Sequence, residues 1–396
     1  MPAALAFLRR IAVLVRLGAP PTLVLRVVRW TLRFFAREFA FQYIVILLVL
    51  IAIAAAIGAA ESTFGLVILA GLGVLLLVEI RFAWLAVKTT RAIEAELREE
   101  IPGDPPESRF PKSNLWFPLL MLWSSSVKVE RGVVFHSEEK RRVRLDIYRP
   151  SAGVRDGKRL PALIQVHGGG WILGSRAEQG IPLLNHMAAN GWIGFNVDYW
   201  LSPRATLPEH VIDVKRAIAW VREHADELGV DPQRIAITGG SAGGHLTALA
   251  ALTSGDRSLQ PGFEDADTSV MAAVPFYGIY DLQALDVYPH LRDWLFEKVV
   301  LKATIEEAPE LYRDVSPAHR VREDAPPFLI FHGDQDTLVP VEDARAFTKK
   351  LEGVSRNPVL YVEMHGAEHA FDIFPSLRTA RVVESIERFL REEAAA

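Results

Sequence analysis

The chain has 396 residues, no cysteine and a formal net charge of -4, with 44 basic against 48 acidic side chains. Without cysteine there are no disulfides, no thiolate metal sites and no cysteine nucleophile. The balanced charge, with no zinc-finger or RNA-binding signature, gives no bulk affinity for nucleic acid. The length suits one large domain with an appendage, because composition breaks sharply near residue 100.

Residues 43–60, YIVILLVLIAIAAAIGAA, carry no charge, and residues 64–87 are interrupted only by Glu79 and Arg81. About 20 apolar residues cross ~30 Å of hydrocarbon, and the first run is apolar on every face, without helical periodicity. Two crossings joined by the short EST break make a transmembrane hairpin. Residues 1–42 hold seven arginines (Arg9, Arg10, Arg16, Arg26, Arg29, Arg33 and Arg37) against Glu38 alone, and Arg81, Lys88 and Arg91 flank the second span. Positive charge on both flanks predicts a cytoplasmic N-terminus and a cytoplasmic C-terminal part.

Within 22–38, Arg26, Arg29, Arg33 and Arg37 recur at spacings of three and four, one basic stripe on a helix. It reads either as an amphipathic helix lying on an anionic leaflet or as the start of a helix that continues into the membrane. Residues 91–100, RAIEAELREE, form a charged helical piece, and 101–113 are a proline-rich linker. NLWFPLLMLW at 114–123 is either a lid over an active site or a segment touching the membrane surface.

From about residue 127 the pattern changes. Short apolar, often β-branched runs end at GVVFHS, RLDIYRP, ALIQVHG, IGFNVDYW, RIAITGG, AAVPFYG, PFLIFHG and VLYVEMHG, with helical patterns between most of the later ones. In 209–229, Val211, Val214, Ile218 and Val221 repeat at helical spacing. This alternation predicts a mostly parallel eight-stranded α/β sheet with helices on both faces, its first two strands pairing as an antiparallel edge hairpin. The expected organisation is a membrane region at 1–100, a linker or lid at 101–126 and a catalytic domain at 127–396.

RIAITGGSAGGH at 234–245 is a strand, a sharp turn and a helix around Ser241, the G-x-S-x-G context that an exposed nucleophile demands. The helix N-terminus adds partial positive charge where an oxyanion forms, and the N–H of Ala242 is one candidate donor. A serine needs a base, and the base an orienting acid. Downstream strands end at Asp334 and Asp336, then at His365 and His369, in the chain order serine, acid, histidine. Asp336 and His369 lie further past their strands, on loop long enough to reach back, so they are the expected partners; Asp334 supports its turn. HGGGWILGS at 167–175 ends another strand, and its glycines let backbone approach a substrate oxygen without a Cβ in the way. His167 fixes this loop by hydrogen bonding rather than acting as a base. Trp171 reads equally as pocket lining or packing, and Asp198 and Tyr199 as structural support.

HGGGW, DYWLSP, GGSAGG, HGDQDTLVP and GAEHAF occur in the order and spacing of the hormone-sensitive-lipase-like esterases, the α/β-hydrolase fold-3 group, which the chain resembles over roughly 160–375. The resemblance implies an α/β-hydrolase fold and serine ester hydrolysis without metal or cofactor. It implies Ser241, Asp336 and His369 as triad, oxyanion donors among Gly168, Gly169 and Ala242, and support from His167, Gly170 and Trp171. Gly240, where the group often has Asp, and Ala370, where it often has Gly, depart from the pattern. The expected function is a membrane-anchored carboxylesterase or lipase acting on short- to medium-chain acyl esters, small or lipid-derived, with membrane lipids as neighbours. Amidase, arylformamidase and acyltransferase chemistry use the same triad; a non-catalytic ligand-binding relative would usually have lost the histidine.

Overall fold

A computed structural model describes residues 11–100, 124–138, 141–153 and 159–395. Most of the expected linker or lid, 101–123, lies outside these residues. All eight expected strands form one sheet: β1 (Val127–Glu138), β2 (Arg141–Pro150), β3 (Leu160–Val166), β4 (Ile193–Val197), β5 (Val230–Gly240), β6 (Ala272–Phe276), β7 (Phe328–Gly333) and β8 (Val359–Met364). Their order is β1-β2-β4-β3-β5-β6-β7-β8. The β1–β2 and β2–β4 pairs are antiparallel and the others parallel. The antiparallel edge hairpin and the α/β-hydrolase architecture are as expected.

Alternation along the strands divides the core. Ile164, Ile237 and Ile330 face a cluster with the helices α5 (Glu209–Glu223), α6 (Ala242–Leu252) and α7 (Val341–Glu352). Leu163, Ala236 and Leu329 face the other side, against α4 (Ile181–Ala189) and α8 (Leu377–Glu393). In α5 the expected stripe of Val211, Val214, Ile218 and Val221 is wholly buried. Each such side chain contributes roughly 1.5–3 kcal/mol, so the 3.6-residue period rather than intrinsic propensity settles which way the helix faces.

The N-terminal region holds α1 (Pro21–Glu38), α2 (Ala40–Ala56) and α3 (Thr63–Glu100). Thr63–Ala95 is long and apolar enough to cross a membrane, and its apolar stretch is almost entirely unburied. At 17 residues, α2 rises only about 25 Å. It begins before residue 43 and ends before 60, and RAIEAELREE continues α3 without a break. Gly65 allows the close approach of the hairpin ends, since a Cβ there would lie 1.9 Å from the Ala59 carbonyl oxygen.

Two expectations for 22–38 are corrected. First, α1 and α2 meet at 78°, so α1 is not the start of one straight membrane helix. Second, most of the basic stripe turns towards the loops after β7 and β8. Arg26 donates to the Thr337 carbonyl at 3.2 Å and Arg37 to that of Gly366 at 3.4 Å; Arg33 lies 3.9 Å from Glu368. Glu38 and Arg378 form a buried ion pair. Carbonyls and carboxylates in the loops after β7 and β8 are unusual partners to infer from helical spacing, but they satisfy the guanidinium donors. Leu23 and Phe34 are buried, and only Arg26 and Arg29 of the four arginines are exposed. The far half of α3 also docks, burying Ala83, Ala86 and Ile93, the last in the cluster with α8.

Candidate active site

The sharp turn from β5 into α6 holds Ser241 at φ 60°, ψ -121°. That left-handed backbone is costly for a residue with a Cβ and persists only where its surroundings impose it. They do so by crowding. A Cβ at Gly239 would sit 2.6 Å from the carbonyl oxygens of Val166 and Gly243, and one at Gly243 only 2.1 Å from Val166 O. The end of β3 therefore lies directly against the turn, and the Ser241 N–H donates to Phe276 O at 2.9 Å. Small residues flanking the serine are a geometric requirement.

The glycine loop leaves β3 at the same place. Gly169 has φ 124° and Gly170 φ 61°, and the loop folds back so that the N–H groups of Ile172 and Leu173 donate to Gly169 O. His167 donates from Nδ1 to Gly168 O at 2.9 Å and stacks on Tyr199 at 4.4 Å, whose hydroxyl donates to His167 O. Asp198 accepts from the Arg176 backbone at 2.8 Å and pairs with its guanidinium. These contacts tie His167, Tyr199 and Asp198 to the chain around the glycine loop.

Gly168 does not keep its expected role. Its N–H donates to Gln179 Oε1 at 2.7 Å, leaving no proton for a substrate oxygen. Gly169 and Gly170 make no such backbone donation among the described bonds, so the free N–H groups of the loop fall to them. Trp171 is fully buried, edge-on to His245 and Phe296; its contacts are those of a packing residue at the cavity floor.

Asp336 and His369 come together as expected, with His369 Nδ1 donating to Asp336 Oδ2 at 2.6 Å. Asp336 Oδ1 accepts the N–H groups of Leu338 and Val339, both at 2.8 Å. Burial alone would push the Asp336 carboxyl up, but the adjacent His369 and His332 outweigh it and hold the group well below the usual carboxylate range. It therefore stays an acceptor that fixes the imidazole tautomer. Asp334 instead accepts the Gly366 N–H and pairs with His365 at 3.1 Å, tying the two loops together. Among the described residues, the ligand atoms of Asp334, His365 and Glu363 lie close enough together to gather round a metal ion. Glu363 is already held by Arg345, and the group lies away from the cavity that contains Ser241.

Ser241, Ala242, His369 and the glycine loop line one cavity of about 160 Å³. Most of the remaining lining is apolar and includes Ile279, Leu295 and Ile373, together with Leu23, Val27 and Trp30 of α1. Three contributors escaped the sequence reading. Tyr277 packs its ring 4.5 Å from that of His369, bonds Asp372 through its hydroxyl, and occupies the space a Cβ on Gly240 would enter. That explains why Gly rather than Asp precedes the serine. Glu368, buried, accepts the N–H and hydroxyl of Thr337 at 2.7 and 2.9 Å, bracing the acid loop against the histidine loop. Trp30 donates from Nε1 to the His369 carbonyl at 3.0 Å. Only Tyr277 left a signal, as the aromatic ending the AAVPFYG strand.

A model of the BD-FAE family matches residues 145–351. The probable carboxylic ester hydrolase LipM of Mycobacterium tuberculosis is 46% identical over 277 residues, covering 69% of this chain and 64% of that protein. Esterase LipQ of the same organism is 44% identical over 246 residues, covering 62% and 58%. The chain thus spans about six-tenths of the length of these relatives. The propionate-bound esterase 2 of Thermogutta terrifontis is 32% identical with a TM-score of 0.57, covering 68% of this chain and 94% of that structure.

Proposed function

Since the chain belongs to the BD-FAE family of hormone-sensitive-lipase-like α/β-hydrolases, we propose that it is a serine ester hydrolase held at a membrane by its α2–α3 hairpin. The observation that carries the reading is the Asp336–His369 bond at 2.6 Å on the wall of the cavity that also contains Ser241. His369 takes the Ser241 hydroxyl proton as Oγ attacks an ester carbonyl carbon. The resulting oxyanion accepts N–H groups from Ala242, Gly169 and Gly170 at the positive end of α6. His369 then gives the proton to the leaving oxygen, releasing alcohol and an acyl-enzyme, and water repeats the sequence to release the acid. Asp336, kept ionised, stabilises the imidazolium at each stage.

A cavity of about 160 Å³ suits short acyl chains. Engineered apolar cavities of about this size hold one benzene molecule, so about six carbons fit without movement of the walls. The propionate held by the Thermogutta terrifontis enzyme is in keeping with that size. The basic residues on both flanks of the hairpin favour a cytoplasmic catalytic domain; cleavage of that domain by protease added to intact cells would reverse the topology. The reading of the site is tested by hydrolysis of 4-nitrophenyl acetate and butyrate by the wild type and Ser241→Ala. Hydrolysis is lost in the variant; equal rates would reject Ser241 as nucleophile.

A further inference from the structure

Helix α1 is apolar on two sides. Leu23, Val27 and Trp30 line the cavity over Ser241, while Leu25 and Leu32 on the opposite side are 67% and 69% exposed. Leu25, exposed Arg29 and Leu32 follow one another at spacings of four and three, so they share one outward face. Large apolar side chains so exposed are unexpected on a face that meets only water. Phe39 alone separates α1 from the apolar helix α2, and the two axes make 78°. If α2 stands in a bilayer, α1 runs along its surface, with Leu25, Arg29 and Leu32 at the depth of headgroups and upper acyl chains.

The same helix closes the cavity. Leu23, Val27 and Trp30 of α1 line it together with Leu14 of the helical stretch before α1, and Leu291 and Trp294 line it too. This wall is tethered by side-chain contacts, Trp30 Nε1 to His369 O at 3.0 Å and Trp294 Nε1 to Leu17 O at 3.1 Å, besides the bonds of Arg26 and Arg37 and the Glu38–Arg378 pair. An acyl chain longer than about six carbons outgrows this cavity, of which α1 is one wall.

We propose that α1 is an interfacial gate: its Leu25–Arg29–Leu32 face docks on the leaflet in which the hairpin stands, and amphiphilic esters carried by that leaflet enter the cavity beneath its inner face. The gate rests on the reading of Ser241 as nucleophile and of α2–α3 as a membrane hairpin. The substrate class is an acyl ester that partitions into the bilayer, with the scissile carbonyl near the interface. Arg29 favours leaflets that contain anionic headgroups.

The test uses the full chain reconstituted in vesicles of equal parts phosphatidylcholine and phosphatidylglycerol. One substrate, 4-methylumbelliferyl oleate, is carried in the vesicles; the other, 4-nitrophenyl acetate, is dissolved in water. Leu25→Asp with Leu32→Asp lowers the rate on the oleate ester about tenfold or more, and changes the rate on acetate by less than about twofold. Leu25→Phe with Leu32→Phe retains both rates. Equal losses on both substrates, or an unchanged oleate rate in the aspartate variant, would overturn the gate. Ser241→Ala separates the two levels, because full acetate hydrolysis in that variant would remove the reading of the site, and not merely the gate. Failure of the wild-type chain to float with the vesicles would remove the anchor.

Discussion

Ser241 and Trp30 face the same cavity but are fixed there by different means. Ser241 is clamped by backbone: the β3 end, β5 and the start of α6 approach so closely that Gly239 and Gly243 cannot carry a side chain. Trp30 is held by side-chain contacts, a single bond to the His369 carbonyl supported by its neighbours Arg26 and Arg37 and by the buried Glu38–Arg378 pair. Groups on a rigid sheet keep the sub-ångström geometry that bond making needs. A helix docked through a few bonds can shift without disturbing them, which suits the part of the wall that admits substrate. In the proposed reading, chemistry and admission are divided between the sheet and the N-terminal helix.

That division predicts a steep ranking of substitutions. Ser241→Ala lowers kcat by about 10⁶, and Asp336→Asn by about 10⁴ through the wrong imidazole tautomer; steady-state kinetics on 4-nitrophenyl butyrate measures both. Gly169→Ala costs about 10²–10³ in kcat, because its Cβ would sit 2.2 Å from Leu173 O and push the donor aside. On the helix side, Trp30→Phe keeps the ring and removes the bond to His369. An ordinary hydrogen bond contributes about 0.5–1.5 kcal/mol, so kcat falls by roughly twofold to tenfold, with KM little changed on a soluble ester. A loss in Trp30→Phe as large as that in Asp336→Asn would break the division.

A separate effect is on stability. Asp343 accepts from the Tyr280 N–H and the Tyr288 hydroxyl behind the acid loop, and burial pushes its carboxyl up to about 6. The unfolded value is near 4. Between these values Asp343 binds more proton in the folded chain than in the unfolded one, so its own contribution to stability falls as pH rises from about 4 to about 6. The span corresponds to at most about 3 kcal/mol. Asp336, held low by its histidines, stays ionised in the folded chain throughout that window. The difference in Tm between the wild type and Asp343→Asn, followed against pH, isolates this contribution and moves in the variant's favour as pH rises from about 4 to about 6.

The sheet side was legible because its constraints are local. Steric crowding demands glycines at fixed offsets from Ser241, and parallel strands deliver Asp336 and His369 to one edge, so short motifs carry the geometry. Gly168 shows the limit of that reading. Three adjacent glycines look equivalent in sequence, and only the reach of Gln179, 11 residues away, consumes one donor. The helix side was far less legible. Periodicity in 22–38 gives a basic stripe, but it does not say whether that stripe meets phosphates or carbonyls. Trp30 and His369 are 339 residues apart, and no local pattern encodes their bond. Tyr277 stood out as the aromatic ending its strand, but its role did not, since that role lies in the space left by Gly240.

The most direct test of the serine mechanism is the site of covalent capture. The full chain is treated with a fluorophosphonate and its peptides are mapped by mass spectrometry. The account predicts one adduct, on Ser241, formed quickly in the wild type and at least about 10³-fold more slowly in His369→Ala. An adduct on another residue, or labelling of Ser241 at the same rate without His369, would contradict it.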